Sequence, residues 1–248
     1  ERNIYHKIIH ELHEIIPQKS DRVGRMKRIT DQMNLLIDAT STPQLIKGYE
    51  SDLMPNKAKK ILEMVGGFNE RVAIGCTSLK ALDYYTNLFI ENFKDRNLYI
   101  IHGSVPFHER KNIISYFEAD ETGILLCMQQ ALRASVNIPS CNKVIVESKQ
   151  WNIPKIEQWF FRFIRYNSEK HTDVYIISYK ETIEMNLLAL LMAKERLNDY
   201  IKTRKFKEEE AIFEEFGIDI DILNDIMEKS VDNAGRTIMN WGKQSITE

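Results

Sequence analysis

The chain has 248 residues, 43% of them hydrophobic and 28% charged, enough to bury the core of one large domain and unlike a disordered composition. A formal net charge of -2 excludes a protein that coats nucleic acid by bulk charge, and leaves room for local phosphate contacts. Cys76, Cys127 and Cys141 fit neither a disulfide framework nor zinc spacing, no apolar run approaches the roughly 18 residues of a transmembrane helix, and no signal peptide is visible, so a reducing compartment and no membrane partner are expected.

The first elements are helical. Residues 4–16 carry Ile4, Ile8, Ile9, Leu12, Ile15 and Ile16 at helical spacing, and Pro17 stops the run. A second helix is expected over about 21–38, with Val23, Met26, Ile29, Met33, Leu36 and Ile37. Thr40 to Pro55 is turn-rich, and a short helix at 56–65 stops at the Gly66–Gly67 pair. From residue 71 short apolar runs alternate with helical stretches. The runs are Arg71–Cys76, Leu98–His102, Gly123–Met128, Lys143–Glu147 and Asp173–Ser178. The helices are expected at about 79–94, 106–118, 154–165 and 180–202. Unbroken apolar strands are buried on both faces, and their alternation with helices implies a parallel sheet with right-handed crossovers. Residues 203–215 read as a charged helix or linker, Ile218–Val231 as one more helix, and 232–248 as a polar, poorly ordered tail apart from Trp241. The expected organisation is helices at 1–66 packed on an α/β lobe at 67–203, with a helical extension at 204–248. The chain opens on Glu1 rather than Met and so reads as a piece of something longer.

Two absences shape the chemistry. No G-x-x-x-x-G-K-[ST] loop is present to cradle phosphates, and no G-x-G-x-x-G turn to hold a dinucleotide, which argues against a Rossmann-like transferase. Asp120–Glu121 comes nearest to an acidic pair for Mg²⁺, but it falls in a turn before a strand. An α/β domain without a phosphate loop binds small ligands differently, or shares a site with a partner lobe.

One positive feature stands against those absences. On the helix expected at 154–165, Gln158, Arg162 and Arg165 fall within roughly 60° of one face. Around them Trp159, Phe160, Phe161, Phe163 and Ile164 require burial. Two guanidiniums on so apolar a helix suit an anion arriving at a desolvated edge, such as the γ-phosphate of a nucleotide held elsewhere. From spacing alone, structural ion pairs to a neighbouring helix explain them equally well.

Trp151-Asn152-Ile153-Pro154 followed by Gln158, Arg162 and Arg165 resembles motif VI of the Swi/Snf class of superfamily 2 helicase-like proteins, with the Pro displaced by one position. The resemblance extends to Arg71–Asp83 (motif IV and its helix), to His102-Gly103-Ser104 with Glu109-Arg110, to the strand at Asp173, and to Thr182-Ile183-Glu184 at the start of the last helix. Arg25–Ile46 resembles the family's helical insert and Ser51–Val65 the helix leading into motif IV, so the likeness covers roughly residues 20–203. It implies a RecA-like parallel sheet flanked by helices, the second lobe of an ATP-dependent DNA translocase. By that resemblance Gln158, Arg162 and Arg165 bind ATP, with the two arginines catalytic, and Thr77, Ser78, Gly103, Ser104, Arg110, Ser135 and Asn137 contact DNA. A first RecA-like lobe of the same protein would hold most of the ATP and Mg²⁺, so the chain alone is expected to be inactive. The compartment would be cytoplasmic in a bacterium or virus and nuclear in a eukaryote.

The pattern also departs from the family. Where motif V has Ser-Thr, a Gly-rich turn and Gly-x-Asn, this chain has Cys127-Met128, Gln129–Ala134 and Ser135-Val136-Asn137, with one extra residue. Motif IV's Ser-Gln is Cys76-Thr77, and the Gly-Gln trailing motif VI is Asn167-Ser168. A lobe that has lost catalysis and serves as a scaffold is the alternative these departures favour. Plainer explanations hold elsewhere. His6, His10 and His13 share a face that reads as wet rather than metal-binding, the cluster Arg22, Arg25, Lys27, Arg28 as a solvated face, and Cys76 and Cys127 as small buried residues.

Overall fold

Each of the five apolar runs forms a strand. They are β1 (Val72–Cys76), β2 (Leu98–Ile101), β3 (Ile124–Met128), β4 (Lys143–Val146) and β5 (Asp173–Ile176). The computed structural model describes residues 1–15, 22–49, 51, 53–132, 137–149, 153–164, 170–180, 182–185, 229–231 and 237–239. The five strands form one parallel sheet in the order β2-β3-β1-β4-β5.

The helices are α1 (Arg2–Ile15), α2 (Arg22–Ser41), α3 (Asn56–Gly67), α4 (Leu79–Asn92), α5 (Phe107–Ala119), α6 (Gln129–Leu132) and α7 (Ile153–Phe160). Period-two alternation along β1 splits the core in two. Ala73 faces Phe117, Leu132, Ile156 and Trp159, from α5, α6 and α7. Val72, Ile74 and Cys76 face Ala58, Ile61, Tyr85 and Phe89, from α3 and α4. The chain crosses from β1 to β2 in one direction, by way of α4. All later crossings run in the opposite direction, by way of α5, α6 and α7. Opposite directions on opposite faces are what a single right-handed crossover sense requires.

At the amino ends of the strands, arginine closes the layers. Arg96 Nε donates to Thr122 O at 2.6 Å, its Nη1 to Val65 O at 2.8 Å, and its Nη2 to Glu70 O at 2.9 Å. One guanidinium thus joins the end of α3 to the lead-ins of β1 and β3.

The chain divides into two compact units, Glu1–Lys149 with Pro154–Ile177, and Gln150–Ile153 with Ser178–Glu248. The N-terminal helices and the sheet share the first. In the second, Thr182 Oγ accepts from the Glu184 N–H at 3.3 Å while Glu184 accepts from the Tyr179 N–H at 3.0 Å, an N-terminal helix cap.

Three expectations need correction. The helix expected over 154–165 ends at Phe160, because its hydrogen bonds tighten to i→i+3 and the Arg162 carbonyl is taken by the Ile138 N–H at 2.7 Å. The last residues of the helix expected at Ile218–Val231 are instead a strand, β6 (Lys229–Val231), paired antiparallel with β7 (Thr237–Met239). Residues 204–248 are therefore not a purely helical extension, nor 232–248 a wholly unstructured tail. β-Branched Val231, Thr237 and Ile238 favour extended backbone, and the pairing of the two strands outweighs helical periodicity. α3 runs through Gly66 and Gly67 and closes only when the Phe68 N–H bonds Val65 O at 3.3 Å.

Candidate functional site

A parallel sheet brings the ends of its strands to one edge, and there Thr77, Ser78, Gly103, Ser104 and Arg110, five of the seven residues expected to meet DNA, collect. Ser78 follows β1 and caps α4, its Oγ accepting from the Ala81 N–H at 3.1 Å. Beside it the Thr77 N–H donates to Ser148 Oγ at 3.1 Å, and the two hydroxyls share a hydrogen bond at 2.7 Å. After β2, Gly103 and Ser104 are exposed in the turn before α5. Arg110 sits in the first turns of α5, its guanidinium bonded to nearby backbone. Its Nε donates to Val105 O at 2.7 Å, its Nη1 to Ala131 O at 2.7 Å and its Nη2 to Gly103 O at 2.9 Å. Three of its five N–H donors hold carbonyls, so Arg110 shapes the 103–105 loop.

Beneath this edge lies a buried polar floor that sequence reasoning missed. Gln129, Glu147, Ser148, Lys149 and Lys57 are all at most 2% exposed. Gln129 Nε2 bridges Gly75 O at 3.1 Å and Ser148 O at 2.7 Å, joining the ends of β1, β3 and β4. Glu147 Oε1 accepts from Ser41 of α2 at 2.6 Å, and its backbone carbonyl accepts from Lys57 of α3 at 3.1 Å. Lys149 Nζ donates to Ile177 O beyond β5 at 3.2 Å. Successive residues at the exit of β4 are thus tied to different elements. The Cys76 thiol is pushed well up, first by burial and then by the Glu147 charge. Burial likewise pushes Cys127 and Cys141 up to about 12, as expected of inert structural thiols. The available sequence signal was polar residues ending apolar runs, Glu147-Ser148-Lys149 above all.

The arginine lies elsewhere. α7 runs back from the β4 exit, with Trp159 fully buried and Gln158 exposed on its last turn. Arg162 follows the helix end and is half-buried. Its N–H bonds Trp159 O at 3.1 Å, and Phe163 beyond it is again fully buried, edge-to-face with Trp159 at 5.3 Å. Thr172, just before β5, donates its hydroxyl to Phe163 O at 3.4 Å. Ile138, which holds the Arg162 carbonyl, bonds in turn to Cys141 ahead of β4. Arg162 therefore sits toward the amino ends of the strands, away from Thr77, Ser78, Gly103 and Ser104. The fold brings Asn137, which is exposed and adjacent to Ile138, to the arginine rather than to the opposite edge. Arg165 and Ser135, with Trp151 and Asn152, lie outside the described residues, as does the side chain of His13. The continuous helical stripe of Gln158, Arg162 and Arg165 is thus not what the chain forms, since the helix stops before Arg162.

Among the described residues, no group of three or more His, Cys, Asp or Glu is placed to hold a metal ion, so they offer Mg²⁺ no carboxylate cage. His6 and His10 are exposed on α1, as are Lys27 and Arg28 on α2. No described helix is long and apolar enough to cross a membrane.

Residues 56–167 match the helicase conserved C-terminal domain family. The chain is 24% identical over 181 residues to the SNF2 domain-containing protein CLASSY 1 of Arabidopsis thaliana, covering 71% of this chain and 14% of that protein. It is 25% identical over 179 residues to the putative ATP-dependent helicase/translocase YwqA of Bacillus subtilis, covering 72% and 19%. The chain thus spans less than a fifth of the length of these curated relatives. Among solved structures, the Sulfolobus solfataricus SWI2/SNF2 ATPase core domain superposes with a TM-score of 0.67 at 21% identity, covering 93% of this chain and 46% of that one. The same protein's C-terminal domain alone gives 0.64 at 19% identity, covering 93% of both. Its core in complex with double-stranded DNA gives 0.64 at 22%, covering 80% and 42%.

Proposed function

We propose that this chain is the C-terminal RecA-like lobe of a Swi/Snf-class helicase, and that it completes an ATP site whose phosphate loop lies on a first lobe of the same protein. The observation that carries the proposal is Arg162, half-buried beside exposed Gln158, its backbone clamped between Trp159 and Ile138. Anchoring the backbone there fixes where the side chain leaves the lobe, which limits the reorganisation its guanidinium needs to meet an anion. ATP with Mg²⁺ supplies the phosphoryl group in the full-length protein. On this chain Gln158 orients the phosphates, and Arg162 with Arg165 offsets the charge that develops on them. Residues 67–203 form the lobe in this reading, and 1–66 are helices that pack on it.

DNA is the proposed second ligand. α4 and α5 both begin at the edge bearing Thr77, Ser78, Gly103 and Ser104, and helix N-termini attract phosphate through unpaired N–H groups. Placing this edge away from Arg162 lets one lobe hold a nucleic-acid backbone and a nucleotide at once. Lobe closure and reopening over each hydrolytic cycle then moves the duplex.

Arg162→Ala and Arg165→Ala in the full-length protein test this reading. DNA-stimulated ATP hydrolysis should fall by about 10³-fold or more for Arg162→Ala and should also be impaired in Arg165→Ala, and the isolated chain should not hydrolyse ATP. Wild-type turnover by Arg162→Ala, or robust turnover by the isolated chain, overturns it.

A second reading, a catalytically inactive scaffold, draws on the DNA edge. Arg110 is committed to carbonyls, Thr77 to Ser148, and Met128 stands where the family has a hydroxyl. The preceding lobe discriminates: a G-K-[ST] loop and a D-E-x-H box favour the motor, and their absence favours the scaffold.

A further inference from the structure

We infer that Trp159 is a positioning residue for Arg162, seated in a slot that Gly75 leaves open in the central strand; this rests on the nucleotide-site reading above. Gly75 is the penultimate residue of β1. A Cβ there would lie 2.5, 2.6 and 2.9 Å from three atoms of the Trp159 ring, closer than any carbon contact allows. Glycine weakens a strand interior unless something must approach the backbone closely, and here the indole does.

The slot reaches both functional regions. On one side, Trp159 O accepts from the Arg162 N–H at 3.1 Å, and Trp159 stacks edge-to-face on Phe163, so buried rings bracket the arginine in the chain. On the other, Gly75 O accepts from the Glu147 N–H and from Gln129 Nε2, both at 3.1 Å. Thr77, at the DNA-facing edge, follows two residues later. The indole therefore sets how far Arg162 stands from the central strand. A methyl group at position 75 would push the ring outward and carry the arginine with it. A smaller ring at 159 would let it sink.

The test compares Gly75→Ala, Trp159→Phe, the double variant and Arg162→Ala in the full-length protein, each verified as folded at the assay temperature by circular dichroism. Each of the first two should lower kcat for DNA-stimulated ATP hydrolysis by about 10–100-fold, the scale of an ångström misplacement, with KM for ATP little changed. The double variant should recover most of that loss, because the added methyl fills the volume the indole vacates. Wild-type kcat in the folded single variants, or a double variant no better than either, overturns the inference. The Arg162→Ala arm separates the two failures. If it keeps wild-type turnover, the nucleotide-site reading falls; if it loses turnover while Gly75→Ala and Trp159→Phe do not, only the role of Trp159 falls.

Discussion

Ser41→Ala removes one hydroxyl from the end of α2, and the structure gives it a large effect. Ser41 donates to Glu147 Oε1 at 2.6 Å, with Ser41 2% and Glu147 0% exposed. No bulk water reaches that carboxylate oxygen to replace the lost donor. A hydrogen bond to a buried charged group contributes about 1.5–3 kcal/mol, and a domain of this size shifts by about 2–4 °C per kcal/mol. The variant should therefore melt several degrees below wild type, with a lower urea midpoint and an unchanged m-value. Glu147→Gln keeps an acceptor for Ser41 and should separate charge from hydrogen bonding. In a double-mutant cycle the two substitutions should couple strongly. A Ser41→Ala variant within about 0.5 kcal/mol of wild type, the range of ordinary surface changes, would refute the claim that α2 holds the exit of β4.

Other expectations concern single groups. Arg96→Lys should destabilise the chain by about 1–3 kcal/mol, since an ammonium cannot span Thr122 O, Val65 O and Glu70 O; equal urea midpoints for the two proteins would contradict this. Lys143 donates to Asp173 across β4 and β5, which holds the Asp173 carboxyl below its usual range and the Lys143 ammonium above its own. The stability from Asp173 is thus present above the ordinary carboxylate pKa and lost as pH falls through the depressed one, while that from Lys143 is lost as pH rises through its raised value. Asp173→Asn should flatten the acid limb of a stability–pH profile, and an unaltered limb would show the pair to be idle. Cys76, Cys127 and Cys141 are buried, with their pKa values raised, so Ellman's reagent should label them only as the chain unfolds; rapid labelling of the native protein would contradict their burial.

The sheet was legible because its three central strands, β1, β3 and β4, are buried on both faces. Runs such as Ile124–Met128 have no polar interruption, and helices of opposite periodicity separate them. Helix ends were less legible, because tertiary partners decide them. Nothing near Phe160 in sequence announces that the Ile138 N–H will take the Arg162 carbonyl. The structural bonds of Arg96 and Arg110 were illegible for a related reason, because their guanidiniums donate to backbone carbonyls that the chain brings together only once folded. Gly75 and Trp159 are similar: the size of one makes sense only beside the other. The collection of Thr77, Ser78, Gly103 and Ser104 at one edge followed from parallel topology alone, whereas the floor of Gln129, Glu147 and Lys57 beneath them did not.

The most direct measurement is single-turnover hydrolysis of pre-bound Mg²⁺-ATP by the full-length Arg162→Ala protein on saturating DNA, which isolates the chemical step from binding. Normal ATP and DNA binding is expected, with a chemical step slowed by about 10³-fold or more. A chemical step at the wild-type rate would contradict this, and would mean that this lobe does not supply Arg162 to the reaction.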